Sequence, residues 1–186
     1  QFLGREGSAL IEQIEKHSGQ GRILFSGCVM HELNGGHLAP LTLLTRKPLL
    51  ASSHMHNIWW YTDSIPESFL SRREAGIQEY LNLYNVTAIF AHNPRWKDRL
   101  RQRGGSYERI WTSDFDWSSG TVELFQRKNY EPTYFWQGSG EILEQTIHSV
   151  RLKAATPEVG IKFNYFPFLQ SSACKISGRN FSKDVN

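Results

Sequence analysis

The segment that most constrains the fold of this chain is 80–96, YLNLYNVTAIFAHNPRW, in which a helix end, a tight turn and a buried strand follow one another. Aromatic and aliphatic residues recur at helical spacing up to Asn85, a residue type that favours turns. The residues at 86–91 are almost all apolar or β-branched, which is typical of a strand covered on both faces. Pro94 then predicts the start of another helix. The segment therefore predicts an α/β layer with a central strand.

The rest of the first half predicts the same kind of layer. Ser8 is a suitable N-cap for a helix over Ser8–Lys16, and Arg22–Ser26 has the pattern of a short buried strand. We expect Ile23–Phe25 to pair with Val86–Phe90 in a mixed sheet, with helices 8–17 and 67–84 packed on it. Further predicted elements are short strands at Leu41–Leu44, Leu49–Ala51 and Ile58–Tyr61, a helix that begins at Pro66 and ends near Asn85, and a helix over Pro94–Arg103.

The second half changes to alternating patterns that predict antiparallel strands. Tyr107–Thr112 and Val122–Arg127 are expected to pair around a polar turn at Asp116–Gly120, and further strands are predicted at Ile142–Arg151 and Val159–Phe166. We therefore expect an α/β (α+β) fold in a single domain over 1–186. Its α/β part at 1–105 carries a mixed sheet that continues into a mostly antiparallel, β-rich part at 106–186.

The composition is that of a folded domain rather than a disordered segment. Apolar residues make up 39% of the chain and aromatic residues 13%, which is enough to bury a core. The net charge is only +3, and six basic residues between Arg95 and Arg109 stand against two acidic ones. Such a cluster can meet phosphates, although a solvated helix face is the commoner explanation. Because the charge is mild and no nucleic-acid module is recognisable, we expect no nucleic-acid partner.

Two further features bear on membranes and redox state. No run approaches the roughly 20 apolar residues of a membrane-spanning helix. The abrupt ends, with Gln at position 1, are consistent with a piece of a longer protein, so the absence of such a run does not exclude a membrane-bound parent. Cys28 and Cys174 show no CxxC spacing, which excludes a structural zinc site of thiolates. A disulfide between them and two buried free thiols both remain open.

Three segments of the sequence resemble patterns that occur together in one known type of domain. The first is YLNLYNVTAI at 80–89, the second is VELFQRKN at 122–129 followed by EPTYF at 131–135, and the third is KFNYFP at 162–167. In this order they resemble the soluble extracytoplasmic domain of bacterial polytopic membrane proteins of the GT-C glycosyltransferase or 6-pyruvoyl-tetrahydropterin-synthase-related type. The resemblance covers roughly 5–180, and Phe168-Leu169 stand where that family usually has Gly-Trp.

The resemblance implies a location and an accessory role rather than a reaction. In such glycosyltransferases the catalytic carboxylates lie in loops between membrane helices, so no catalytic residue can be carried onto this chain. The implied protein is a non-catalytic soluble domain at the cell membrane, on the extracytoplasmic face and without a cofactor, whose parent is a glycosyltransferase. Its implied partners are the flanking transmembrane region of the same parent and a glycan or lipid-linked sugar.

Histidines provide the alternative prediction, a zinc-dependent enzyme. Alternate residues of a strand point the same way, so His54 and His56 can reach one metal ion, with His31 or His37 as a third ligand. Three protein ligands leave a position open for a water molecule, as a hydrolase or lyase needs. The set His31, His54 and His56 also resembles the zinc site of 6-pyruvoyl-tetrahydropterin synthases. That family has Gly where this chain has Met55, and it has a cysteine shortly before the paired histidines, so loop histidines without metal are the commoner explanation.

Aromatic residues beside carboxylates mark the candidate ligand-binding positions. Asp114 and Asp116 would share one face of a strand, and sugar-binding clefts often place a carboxylate beside an aromatic ring that stacks on the apolar sugar face. A polar hairpin turn is the commoner explanation of two such aspartates. The candidate positions for ligand binding are Trp59, Trp60, Trp111, Asp114, Asp116 and Trp117.

Overall fold

The computed structural model describes residues 4–26, 39–51, 65–117, 119–146, 149–163 and 167–179. The chain divides into two compact units, Gln1–Thr133 (unit 1) and Tyr134–Asn186 (unit 2). Helices, a mixed five-stranded sheet and two small antiparallel sheets make up the described part, so the predicted α+β class is confirmed. No helix in these ranges combines the length and the apolar character needed to cross a bilayer.

A five-stranded mixed sheet forms the centre of unit 1. Its strands are β1 (Arg22–Ser26), β2 (Leu49–Leu50), β3 (Val86–Ala91), β4 (Tyr107–Trp117) and β5 (Gly120–Arg127), in the spatial order β2-β1-β3-β5-β4. Strand β1 is parallel to both β2 and β3, whereas β5 is antiparallel to β3 and β4. The predicted pairing of the first and third strands is confirmed, because Ile23 lies opposite Ala88 and Phe25 lies opposite Phe90.

Helices cover both faces of this sheet because the central strands are apolar on both sides. The helices are α1 (Arg5–His17), α2 (Ala39–Thr45), α3 (Glu67–Leu70), α4 (Arg73–Leu83) and α5 (Pro94–Arg101). On one face, Leu10 and Ile14 of α1 pack with Phe25 and with the β5 side chains. On the other face, α3, α4 and α5 pack against Leu24 and Ile89. The predicted packing of helices on the sheet is confirmed, with α1 on one face and α3 and α4 on the other. The single helix predicted over 67–84 is wrong in detail, because it is interrupted at Ser71 and Arg72 and Arg73 has a positive φ of 53°.

Three further element predictions are wrong in detail. The segment Leu41–Leu44 lies in helix α2 rather than in a strand, because a short apolar run has no decisive period and Pro40 suits a first helical turn. Ser8 lies inside α1, where its N–H donates to the Gly4 carbonyl at 3.2 Å, so it is not the N-cap. The segment predicted as one strand at Ile142–Arg151 contains parts of two strands, Gly140–Gln145 and Val150–Ala154.

Unit 2 consists of two short antiparallel pairs. Strand β6 (Phe135–Gln137) pairs with β9 (Gly160–Ile161), and β7 (Gly140–Gln145) pairs with β8 (Val150–Ala154). Most side chains of β7 and β8 are exposed, so ring contacts carry much of the packing. Tyr134 stacks on Phe163 with ring centroids 5.1 Å apart, and the Arg179 guanidinium lies 4.9 Å from the Trp136 ring centroid.

Some predicted elements and one cysteine need separate comment. The strand predicted at Ile58–Tyr61 lies outside the described residues, and of Val159–Phe166 only Gly160–Ile161 is a strand within them. Cys174 is a free, exposed thiol, so a buried thiol is wrong for this position. Cys28 lies outside the described residues.

Candidate functional site

Strand β4 carries four of the predicted ligand-binding residues at one edge of the unit 1 sheet. Its pairing with β5 shifts register between Thr112 and Asp116. The Ser113 hydroxyl explains this shift, because it accepts a hydrogen bond from the Val122 N–H at 2.8 Å and donates one to the Phe115 carbonyl at 2.5 Å. The hydroxyl thus replaces a regular backbone partner of the ladder. Asp116 lies within the strand opposite Thr121, so the predicted polar turn is shorter than expected.

The two aspartates face solvent, as alternation along a strand predicts for a shared face. Asp114 forms an ion pair with Arg5 of α1, in which both side chains are well exposed. An ion pair of this kind stabilises the fold by about 0–1 kcal/mol because water screens both charges. The carboxylate of Asp116 has no ion pair or hydrogen bond among the described residues. Asp116 is therefore the more available hydrogen-bond acceptor of the two.

The two tryptophans of β4 belong to the core side of the strand. Trp117 is only 5% exposed, its indole N–H donates to the Glu6 carboxylate at 3.2 Å, and His92 meets its ring edge-on at 5.4 Å. Trp111 is partly buried and meets Phe90 edge-on at 6.1 Å. A sugar ring needs an open aromatic face, so Trp111 is available in part and Trp117 is not. The structure brings the four residues onto one strand but separates Trp117 from the exposed carboxylates.

The other predicted site residues, Trp59, Trp60, His31, His54 and His56, lie outside the described residues. Within the described ranges, no group of three or more metal-ligating side chains is present.

The carboxyl ends of the parallel strands nevertheless form a recognisable edge. Ser26 ends β1, Leu50 ends β2 and Ala91 ends β3, and all three ends lie at one side of the sheet because β1 is parallel to both neighbours. In open α/β sheets, ligands bind outside the carboxyl ends of the strands, where successive connections turn to opposite sides. That change of side falls between β1 and β3 here.

His92 is a residue of this edge that the sequence prediction missed. It follows β3 directly and is buried beside Trp117. Next to it, Asn93 caps α5 by accepting a hydrogen bond from the Trp96 N–H at 2.9 Å. The signal in the sequence was a titratable residue immediately after a buried parallel strand, just before a Pro-started helix. His92 therefore joins the candidate residues of this edge.

Two arginines of the basic cluster between Arg95 and Arg109 contact the buried carboxylate of Glu123. The carboxylate of this β5 residue is almost fully buried, and it accepts two hydrogen bonds from Arg101 of α5, one of them from Nε at 3.2 Å. Arg109 approaches the same carboxylate at 3.7 Å. The hydrogen bond that Arg101 donates to Glu123 raises the pKa of Arg101 above its usual value. These charges thus join α5 and β4 to β5.

The remaining basic residues are largely occupied in a similar way. Lys97 is buried, and its Nζ donates to the carbonyls of Ser119 at 3.3 Å and Thr121 at 3.0 Å. Arg103 pairs with Glu74 at 3.1 Å. The cluster between Arg95 and Arg109 is consequently a set of structural contacts more than an open cationic surface.

Comparison of the chain with models of known families, with curated proteins and with solved structures finds no match. The chemistry of a site must therefore be argued from its own residues. At β4 that chemistry is hydrogen-bond acceptance by the exposed carboxylates of Asp114 and Asp116, while the partly exposed Trp111 indole lies on the core side of the strand. At the edge formed by the ends of β1, β2 and β3, the candidate group is the imidazole of His92, which packs edge-on against the Trp117 indole.

Proposed function

We propose that this chain is a non-catalytic, soluble extracytoplasmic domain of a bacterial membrane glycosyltransferase-like protein, and that it binds a glycan or lipid-linked sugar acceptor. The proposal takes its location from the three sequence segments at 80–89, 122–135 and 162–167. It takes its binding role from strand β4. In the parent protein, the flanking transmembrane region is the intramolecular partner and the catalytic groups lie there.

The observation that carries the binding role is the pair of exposed carboxylates, Asp114 and Asp116, on a strand that ends the sheet. Ionised carboxylates accept several hydrogen bonds each and therefore suit sugar hydroxyl groups. The exposed Thr112 hydroxyl extends this surface along the same strand. The arrangement is open rather than enclosed, which favours binding of a chain of sugars over chemistry on a single bond.

The buried charged groups of α5 and β5 support a structural role for this part of the chain. Glu123 is held by two arginines, and the Lys97 ammonium is held by two carbonyls. A general acid or base must reach a substrate with a free lone pair or proton. Neither group is placed to do so, and this favours binding over turnover for the described residues.

The test is titration of the isolated, tag-free chain with a panel of oligosaccharides. Intrinsic tryptophan fluorescence and calorimetry measure the affinity. The double variant Asp114→Asn/Asp116→Asn should weaken binding at least tenfold, because each charge-assisted hydrogen bond contributes about 1.5–3 kcal/mol. The exposed carboxylate Glu131 supplies the matched control, and Glu131→Gln should bind as the wild type does. If the double variant and the wild type bound the oligosaccharides with equal affinity, the binding site would not lie on β4.

A zinc-dependent enzyme is the second candidate, and one observation favours it. Strands β1 and β2 are adjacent and parallel, so the chain leaves both from the same sheet edge. In the sequence, His31 follows β1 and His54 and His56 follow β2. Three imidazoles are a suitable donor set for zinc, which would lower the pKa of a bound water molecule. These residues themselves lie outside the described part of the chain.

Elemental analysis of protein purified without a histidine tag separates the two candidates. The accessory-domain proposal predicts no stoichiometric zinc and no change in metal content in His54→Ala. The control is His17→Gln, which alters a histidine of α1. Stoichiometric zinc that is lost in His54→Ala and kept in His17→Gln would instead establish a zinc site that includes His54 and would overturn the accessory-domain proposal.

A further inference from the structure

Helix α2 presents an apolar pair to solvent that the fold of unit 1 does not use. In the described part of unit 1, the large hydrophobic side chains that are exposed are Leu43, at 70%, and Leu44, at 57%. They are neighbours on one outward-facing side of the helix. Leu41 and Thr45, one turn apart, are buried and hold the opposite side against the protein. Two adjacent exposed leucines on an otherwise well-buried unit point to a contact surface.

Two basic residues, Arg46 and Lys47, follow the leucine pair closely in sequence, and backbone hydrogen bonds hold their main chain. Arg46 directly follows α2 in the left-handed region, with φ of 55°, and its N–H donates to the Thr42 carbonyl at 2.8 Å. The Lys47 N–H donates to the Thr45 hydroxyl oxygen at 3.3 Å. Neither the Arg46 nor the Lys47 side chain has an ion pair or hydrogen bond within the described ranges. The backbone is therefore held while both charges are available.

We propose that the outward side of α2 docks on an anionic lipid bilayer, with Leu43 and Leu44 entering the interfacial region and Arg46 and Lys47 contacting lipid phosphates. Apolar side chains beside basic ones are the pattern of segments that lie on membrane surfaces. A helix as short as α2 would not hold its shape alone, but its buried side fixes it to the fold. Complementary charge selects anionic lipid over a neutral surface or an apolar protein partner.

This inference rests on the membrane location proposed above, and it adds a second contact between the domain and the bilayer. The size of the effect follows from transfer energies. Partial burial of a leucine side chain in the interface contributes about 1 kcal/mol, which is about fivefold in partitioning, so the pair contributes roughly 25-fold. Each basic residue near an anionic surface contributes about 1 kcal/mol, again about fivefold. The salt dependence should reside in the basic residues.

The experiment measures sedimentation of the isolated chain with vesicles of phosphatidylcholine alone or with 30% phosphatidylglycerol (about one anionic lipid in three). We expect binding to the anionic vesicles that falls at least tenfold in Leu43→Ser/Leu44→Ser and in Arg46→Gln/Lys47→Gln. Raised salt should weaken the wild type. Leu143→Ser in unit 2, where the side chain is 49% exposed, is the control and should bind as the wild type does.

Each other outcome overturns the inference. Equal binding to neutral and anionic vesicles would show that Arg46 and Lys47 do not contact lipid phosphates. Absence of vesicle binding would show that α2 does not dock on lipid. A concentration-dependent dimer that is lost in Leu43→Ser/Leu44→Ser would assign α2 to contact between copies. The same variant should keep the glycan affinity of the wild type, so failure of lipid docking is distinguishable from failure of the proposed function.

Discussion

Substitution of Asn85 offers the sharpest test of how unit 1 is held together. This residue lies in the turn between α4 and β3, with φ of 52° and its side chain fully buried. The amide nitrogen donates to the Gln20 carbonyl at 3.1 Å. The amide oxygen accepts from the Tyr130 hydroxyl at 3.0 Å and from the Thr133 N–H at 2.9 Å. One side chain thus joins the α1–β1 turn to the segment that follows β5.

The expected loss of stability in Asn85→Ala follows from these contacts. Three hydrogen bonds disappear, at about 1 kcal/mol each, and alanine adds about 1 kcal/mol because it tolerates positive φ poorly. We expect a decrease of about 4 kcal/mol in the free energy of unfolding. Asn85→Gly loses the same hydrogen bonds but relieves the backbone, so we expect about 3 kcal/mol. Either value is a large part of the roughly 5–15 kcal/mol that a domain has.

Urea unfolding followed by circular dichroism and tryptophan fluorescence measures these differences. Asn129 is the matched control, since it also has positive φ, at 55°, but is exposed. Asn129→Ala should therefore show only the backbone cost of about 1 kcal/mol. If Asn85→Ala were no more destabilising than Asn129→Ala, the buried amide would not carry the role assigned to it.

The remaining predictions concern a buried charge, a close backbone approach and a titration. Glu123→Ala should decrease the free energy of unfolding by about 3 kcal/mol in urea unfolding, because it leaves the arginine pair beside an emptied site. Gly160→Ala should destabilise unit 2 by about 1–3 kcal/mol and shift the Trp136 fluorescence, since a Cβ would overlap that indole, whereas Gly105→Ala has open space and should change neither. Burial, and then the adjacent lysine, lowers the pKa of His17 below 6.5, so the unfolded chain binds the proton more tightly. Its contribution to stability is present above pH 6.5 and is lost as the pH falls through the folded pKa, and His17→Gln should flatten this loss in unfolding measured from pH 8 to pH 5.

Those parts of the fold that have a strong local signal were predictable from sequence. The apolar runs that became β1 and β3 identified two central strands and their pairing, because a strand buried on both faces has few polar residues. The run Leu41–Leu44 misled because its length and composition suit a strand and a buried helix alike. Ser8 misled because α1 begins earlier, at Arg5, without a side-chain cap.

The candidate site was predictable only in part. Alternation along a strand was sufficient to predict that Asp114 and Asp116 share a face, and in the structure both are exposed. The burial of Trp117 was not predictable in this way, because tryptophan suits cores and binding surfaces equally and its contacts come from α1 and the residue after β3. The pairing of Glu123 with Arg101 likewise depends on tertiary packing between β5 and α5, which no local pattern reports.

The central claim, a domain on the extracytoplasmic face of a membrane protein, is tested most directly by labelling Cys174 in the intact parent protein. This thiol is exposed and free, so a membrane-impermeant maleimide can reach it wherever the domain meets the external medium. We predict labelling in intact cells that disappears in Cys174→Ser. The same variant is the control, because any labelling that it retains comes from other cysteines of the parent. Labelling of Cys174 only after the cells are lysed would place the domain on the cytoplasmic side and contradict the account.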